Sequence, residues 1–207
     1  AHALTELGAA VWSIEYRRIG NEGAGWPGTF LDAGHGIDYL SELAEIYPLD
    51  LTQVMSMGHS AGGHLALWVA ARSQQLPESE LHEDSPLDII GVVGLAPVPE
   101  LTMMFEEANC GNSAGQLMGG GPAEFPTRYR DASPLSFAPI GVPQRLIFGR
   151  HDTTWAPNGR AYVRAARARS DRQITVIEAG ESGHFEMIDP ATTTWPLVRD
   201  AVRATLK

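Results

Sequence analysis

Short, almost wholly apolar runs alternate along this chain with longer stretches of helical periodicity. The run Ile89–Leu95 is typical of a strand buried on both faces of a sheet. After a start resembling a capping box at 29–32, Ala33 and Ile37 begin a helical apolar stripe that Pro48 ends. The same reasoning predicts strands over 9–16, 54–57, 89–95, 143–149 and 173–178. It predicts helices that end at Gly8, that span 29–47, that end near Gln74, and that span 158–169 and 194–207.

This alternation of strands and helices predicts an α/β fold with a mainly parallel sheet flanked by helices, formed by residues 1–207 as one domain. The pattern loosens only over 96–126, where prolines, three consecutive glycines and scattered Met and Phe residues occur. We interpret 96–126 as a short insertion over a site. Its apolar residues either line an acyl pocket or pack the insertion on the core: Met103, Met104, Phe105, Met118 and Phe125.

The motif Gly58-His59-Ser60-Ala61-Gly62 stands between a predicted strand and a predicted helix. G-x-S-x-G in that setting is a nucleophile elbow, a sharp turn that lifts the serine hydroxyl above the sheet. We expect the turn to require glycine at both Gly58 and Gly62, because a Cβ at either position would collide across the turn. The alternative is a glycine-rich turn in which Ser60 merely lies near a helix N-cap.

Two features beside Ser60 bear on its chemistry. The helix that follows it directs the backbone N–H of Ala61 at an oxyanion formed on a substrate. We expect Gly63 to allow the helix to approach the sheet closely.

A serine nucleophile needs a base and a carboxylate that orients the base. His184 follows the predicted 173–178 strand, and Asp152 follows the 143–149 strand, so both belong to the sheet edge that carries Ser60. We expect Ser60 as nucleophile, His184 as general base and then acid, and Asp152 as the residue that fixes the imidazole tautomer. The order Ser, Asp, His along the chain agrees with this assignment.

Other assignments remain open at this point. His151 could serve as the base, and Asp189, Glu181 or Glu186 could replace Asp152. His59 is expected to pack under the turn in a structural role. A metal site from His59, His64 and His151 is a further alternative, although His59 and His64 do not share a helix face.

Composition narrows the function classes. The net charge of −10 without a basic cluster argues against nucleic acid and anionic membranes as partners. The single cysteine, Cys110, excludes an internal disulfide and a cysteine-based zinc site. No apolar run approaches the ~20 residues of a membrane span. We expect no cofactor and no metal, a small-molecule substrate, and by default a cytoplasmic location, since no signal peptide opens the chain.

Several stretches together carry a family resemblance that runs nearly end to end. They are 11–18, 25–32, 58–64, 117–120, 132–135, 149–152 with Pro157, and 183–185. On these stretches the chain resembles the α/β-hydrolase superfamily, in its esterase/lipase and arylformamidase-like branch. The resemblance implies the α/β-hydrolase fold, Ser60, Asp152 and His184 as the triad, and Ala61 as one oxyanion donor.

One departure concerns the start of the chain. Family members carry earlier strands and a His-Gly-Gly-type loop that donates further oxyanion N–H groups, and this sequence has no such motif. We therefore expect an N-terminally truncated fold, as a fragment of an active enzyme. Without the strand that lies between them in the family, the 9–16 and 54–57 strands would be left with unpaired backbone groups.

These observations predict a serine hydrolase that cleaves carboxylic esters of small to medium acyl groups through an acyl-enzyme on Ser60. An arylformamidase, which hydrolyses an N-formyl aryl amide, would use the same triad. A non-catalytic binding protein with a hydrolase fold is the alternative outside the enzymes.

Overall fold

The structure, a computed structural model, describes residues 1–206. Four parallel strands form one sheet in the order β1-β2-β3-β4. They are Ser56–His59 (β1), Val92–Leu95 (β2), Gln144–Gly149 (β3) and Ile174–Ala179 (β4). The helices are His2–Thr5 (α1), Gly28–Asp38 (α2), Leu40–Ala44 (α3), Ala61–Ala71 (α4), Leu101–Glu106 (α5), Asn109–Met118 (α6), Pro126–Ala132 (α7), Ala156–Ala168 (α8) and Trp195–Thr205 (α9).

The register of the sheet aligns the starts of all four strands. Ser56 lies opposite Val92, Val92 opposite Gln144, and Gln144 opposite Ile174. The carboxyl ends therefore meet at one edge, as expected for parallel strands joined by helical crossovers. The loops that follow β1, β3 and β4 begin at this edge.

Both faces of the sheet are covered by helices, as the apolar strand pattern predicts. On one face, Phe30 of α2, Trp68 of α4 and Tyr162 of α8 pack in the same cluster as Phe148. On the other face, α9 packs Val198 and its neighbours against β2 and β3. Burying side chains of this size contributes roughly 1.5–3 kcal/mol each, so the sheet is held mainly by apolar burial.

Helix α4, which follows the motif, is buried along nearly its whole length from Gly63 to Ala71. It lies between the sheet and α2, where Trp68 packs edge-on against Phe30 with ring centroids 5.2 Å apart. The strand before it is tied to it directly, because the Ser56 hydroxyl donates to the carbonyl of Ala66 at 2.8 Å. The element that carries the motif is therefore the central helix of the fold.

An ion pair between a buried arginine and a partly exposed aspartate lies at the C-terminal end of α4. Arg72 is 4% exposed, and its guanidinium pairs with the carboxylate of Asp38 at the end of α2. Asp38 also accepts the backbone N–H of Leu87 at 2.9 Å. Arg72 Nε has no hydrogen-bond partner. The pair joins α2, α4 and the loop before β2.

The predicted strand over 9–16 is wrong, because these residues form no strand in the described chain. The Trp12 indole N–H donates to the carbonyl of Gly36 at 2.8 Å, and Ile14 packs on the same glycine, so the segment lies along α2. A strand needs a hydrogen-bonded neighbour, and residues 9–16 have none in the sheet. Within residues 1–206, the sheet ends at β1, which pairs with β2 alone.

Two smaller expectations also fail. The predicted capping box is absent, because helix α2 begins at Gly28 and the Thr29 hydroxyl oxygen accepts the N–H of Gly25, which lies outside the helix, at 3.0 Å. The predicted 29–47 helix is divided at Tyr39 into α2 and α3.

The insertion at 96–126 contains α5 and α6, and α6 is interrupted by left-handed residues from Cys110 to Asn112.

Candidate active site

Ser60 occupies the turn between β1 and α4 in a strained conformation, with φ 56° and ψ −118°. Positive φ is uncommon for a residue with a side chain. The turn is held from both sides, since the Ser60 N–H donates to the carbonyl of Leu95 at 2.9 Å and its carbonyl accepts the N–H of His64 at 3.1 Å. The backbone of Ser60 is thus fixed by β2 and by the first turn of α4.

The glycines in and beside the motif differ in how much space surrounds a Cβ at each position. A Cβ on Gly58 would lie 2.0 Å from the carbonyl oxygen of Gly62, so Gly58 has no room for a side chain. A Cβ on Gly62 would meet nothing within 4 Å, so the expectation of a collision there is wrong. A Cβ on Gly63 would lie 2.8 Å from Pro97 Cβ, which confirms that this glycine allows a close approach.

Ala61 is the first residue of α4 and follows Ser60 directly. The first backbone N–H groups of a helix have no acceptor within the helix, and they lie at the positive end of its dipole. The position predicted for one oxyanion donor is therefore a helix N-terminus adjacent to Ser60.

The structure brings the three predicted side chains into one hydrogen-bonded line. His184 Nε2 lies 3.0 Å from Ser60 Oγ, and His184 Nδ1 lies 2.7 Å from Asp152 Oδ2. The side chains of His184 and Asp152 are 9% and 1% exposed. Because a carboxylate only accepts, Nδ1 carries the proton, and Nε2 is left to accept the Ser60 hydroxyl.

Asp152 is oriented by its own loop. Its Oδ1 accepts the backbone N–H of Trp155 at 2.9 Å, which leaves Oδ2 for His184. The loop approaches that of His184 because Gly149 has no side chain. A Cβ there would lie 2.1 Å from the carbonyl oxygen of Gly183. A glycine at the end of β3 thus brings the carboxylate and the imidazole together.

The alternative partners lie elsewhere. His151 is 3.5 Å from Glu181 and largely exposed. Glu186 accepts the N–H of Gly183 at 2.9 Å, and Asp189 accepts the N–H of Ala191 at 2.9 Å. Among residues 1–206, no group of three His, Cys, Asp or Glu side chains is arranged to hold a metal ion.

His64, which the sequence indicated only as a possible metal ligand, is a buried polar residue of α4. It lies one turn after Ser60 and is 3% exposed, and neither ring nitrogen has a hydrogen-bond partner. Burial lowers the pKa of His64 to about 4, although nearby carbonyls, first that of Ala132, oppose the shift. The ring is therefore neutral at pH 7, and it packs edge-on against Phe30.

His59 does not pack under the turn as expected. Its ring lies 4.6 Å from that of His184, and its Nε2 lies 2.7 Å from the His184 carbonyl oxygen. Nothing in the local motif indicates a contact between residues so far apart in the chain.

The residues considered for an acyl pocket divide between two environments. Met104 and Met118 are 5% and 0% exposed and belong to the core, as the packing alternative predicted. Phe125 lines a cavity of about 240 Å³ together with Trp26 and Glu80. A smaller cavity of about 120 Å³ lies beside Arg72. Neither of these two cavities includes Ser60 in its lining.

The helix-flanked parallel sheet and the strand-to-helix turn at Ser60 define the α/β-hydrolase fold. The family model of BD-FAE matches residues 1–158, and the chain belongs to this family. No curated protein matches the chain. Among residues 1–206, no helix is both long enough and apolar enough to cross a membrane.

Solved structures are similar in fold. A truncated form of a carbohydrate esterase from gut microbiota is 21% identical with a TM-score of 0.73, over 94% of this chain and 73% of that one. Esterase B from Lactobacillus rhamnosis, inhibited with a tributyrin phosphonate, is 22% identical with a TM-score of 0.72, over 92% of this chain and 64% of that one. The esterase Est2 from Thermogutta terrifontis is 18% identical with a TM-score of 0.67, over 93% of this chain and 68% of that one. This chain therefore spans roughly two thirds to three quarters of the length of these esterases.

Proposed function

We propose that this protein is a serine hydrolase that cleaves carboxylic esters of small to medium acyl groups through an acyl-enzyme on Ser60. The observation that carries the proposal is the hydrogen-bonded line from Ser60 Oγ through His184 to Asp152, at 3.0 and 2.7 Å. The strained backbone of Ser60 at a strand-to-helix turn supports it independently.

In the first half-reaction, Ser60 Oγ attacks the carbonyl carbon of the ester while its proton passes to His184 Nε2. The carbonyl π bond opens, and its electron pair moves to the oxygen. The N–H of Ala61 donates to this oxyanion, and Asp152 stabilises the imidazolium through Nδ1–H. Collapse re-forms the carbonyl, breaks the C–O bond and transfers the Nε2 proton to the departing alcohol.

In the second half-reaction, water repeats the attack on the acyl-enzyme. His184 takes a proton from water, the hydroxyl oxygen bonds to the acyl carbon, and a second oxyanion forms beside Ala61. Collapse re-forms the carbonyl, breaks the bond between the acyl carbon and Ser60 Oγ, returns the proton to Oγ and releases the carboxylic acid. The catalytic residues end in their starting protonation states.

The family and the similar structures guide the choice of acyl group. One similar structure is described as a carbohydrate esterase and another as esterase B with a tributyrin phosphonate. A short acyl chain is compatible with both descriptions. We therefore choose acetate and butyrate esters as the first substrates.

The test compares hydrolysis of p-nitrophenyl acetate and butyrate, and labelling by a fluorophosphonate, in the wild type, Ser60→Ala and Ser136→Ala. Ser136 is an exposed serine on a short 3-10 turn and serves as the matched control. We expect Ser60→Ala to lose labelling and about 10⁶-fold in turnover, and Ser136→Ala to match the wild type.

Other outcomes separate the alternatives. Labelling of Ser60 without ester turnover would point to other acyl compounds, and N-formyl aryl amides would be tested next. A folded wild type that neither turns over nor reacts with the phosphonate would contradict the enzyme proposal and favour the binding-protein alternative.

A further inference from the structure

His59, the last residue of β1, contacts the loop that carries the general base. Its Nε2 lies 2.7 Å from the backbone carbonyl oxygen of His184. A carbonyl oxygen only accepts, so the hydrogen bond requires a proton on His59 Nε2. The residue that precedes Ser60 therefore donates to the backbone of the residue that takes the Ser60 proton.

The charge state of His59 fits this contact. Burial lowers the pKa of His59, the hydrogen bond to the His184 carbonyl opposes the shift, and the nearby His184 ring lowers the pKa further. A neutral His59 with its proton on Nε2 keeps the donor and puts no positive charge beside an imidazolium at His184. The two rings, 4.6 Å apart, would repel each other if both were charged.

The contacts of His184 divide between its ring and its backbone. Asp152 holds the ring through Nδ1, and His59 holds the carbonyl. Phe185, which is 65% exposed, packs at a right angle to the His184 ring at 5.0 Å. The contact with Asp152 alone would let the ring move together with its loop, because this loop starts at Gly180, contains Gly183 and lies near the surface.

We propose that His59 is a positioning residue for His184. Its N–H fixes the backbone of the base relative to Ser60, so that His184 Nε2 stays within hydrogen-bond reach of Ser60 Oγ. This proposal rests on the proposed serine hydrolase function. A loss of position of about 1 Å at such a site typically costs about 10²-fold in rate.

The test uses variants that separate the donor from the ring. His59→Phe and His59→Leu fill the site without a donor, and His59→Gln keeps an N–H donor without the ring. His35→Phe, at an exposed position of α2, is the matched control. For each variant, kcat and KM with p-nitrophenyl butyrate are measured, and urea unfolding confirms the folded state.

We expect His59→Phe and His59→Leu to lose about 10²-fold in kcat with KM little changed, and His59→Gln to recover most of that loss. A role in packing alone predicts the opposite order, with Phe active and Gln impaired. That order, or wild-type kcat in both donor-free variants, would overturn the proposal.

A second readout does not depend on ester turnover. The His184 Nδ1 proton, held by Asp152, is followed as a low-field NMR resonance. We expect it to be sharp in the wild type and His59→Gln and broadened in His59→Phe. An unchanged resonance in His59→Phe would overturn the positioning role even if no ester were a substrate. Absence of Ser60-dependent turnover in the wild type would instead contradict the proposed function.

Discussion

Gly58 and Gly62 face each other across the turn that carries Ser60, and the carbonyl oxygen of Gly62 occupies the space of a Cβ on Gly58. The separation would be 2.0 Å, whereas a Cβ on Gly62 would meet nothing within 4 Å. The two glycines therefore predict opposite outcomes for the same substitution.

Gly58→Ala should destabilise the protein by about 3 kcal/mol and abolish Ser60-dependent hydrolysis, because backbone atoms rather than a flexible side chain would have to move. Gly62→Ala should change the free energy of unfolding by no more than about 1 kcal/mol, in the stabilising direction, because Ala favours a helix. Urea unfolding and p-nitrophenyl butyrate turnover check both variants. Equal losses in the two variants would contradict this steric account.

Asp152→Asn should lower kcat by about 10⁴-fold while the protein stays folded. The amide oxygen can still accept the Trp155 N–H, but the amide nitrogen would then face His184 Nδ1. The imidazole would be forced into the tautomer with its proton on Nε2, which cannot accept the Ser60 proton. Glu181→Gln, beside His151, is the control, and comparable losses in both variants would reopen the choice of orienting carboxylate.

His64 should make the stability of the fold depend on pH. Its folded pKa of about 4 lies below the ordinary value of 6.5, so the unfolded chain binds the proton first as the pH falls. The stabilisation is complete above pH 6.5, declines below it, and levels off below pH 4. Between pH 7.5 and pH 5, the wild type should lose about 2 kcal/mol more than His64→Leu.

Urea unfolding at the two pH values measures this difference, with His35→Leu as an exposed control. At pH 7.5, His64→Leu should be no less stable than the wild type, because it removes a buried polar ring without a partner. Parallel pH dependence in the wild type and His64→Leu would show that His64 is not the group responsible.

The Asp38–Arg72 pair should be far more sensitive than an exposed pair. Asp38→Ala leaves the buried Arg72 guanidinium without its carboxylate and should cost about 3–5 kcal/mol. Glu178→Ala breaks the pair of Glu178 with Arg160, in which the two side chains are 55% and 36% exposed, respectively. This substitution should cost less than about 1 kcal/mol. Thermal or urea unfolding distinguishes the two, and similar losses would contradict the role of burial.

The sequence predicted the features that depend on local chemistry. The glycines and the serine of the elbow stand next to each other in the chain, and Asp152 and His184 each follow an apolar run that forms a strand. The order of strands then places all three at one edge of the sheet. Their separations of 3.0 and 2.7 Å are a property of the folded sheet.

What could not be predicted depends on contacts between distant residues. Residues 9–16 have the composition of a strand, but a strand also needs a paired neighbour. The Thr29 hydroxyl oxygen could accept an N–H at the start of a helix, but it accepts the N–H of Gly25 instead, while its proton is donated to the Arg17 carbonyl. The hydrogen bonds between His59 and His184 and between Arg72 and Asp38 join segments that are far apart in the chain. No local sequence pattern predicts that these segments meet.

The parallel sheet determines when activity should return during refolding. Ser60 and His184 are 124 residues apart in the chain, and three strand pairings separate the strands that carry them. Contacts at such separations form late in folding, because the loops between them must close first. Ester hydrolysis during refolding should therefore recover only when β4 has joined the sheet, after the helical signal in circular dichroism has largely returned. Turnover would report the completion of folding rather than its beginning.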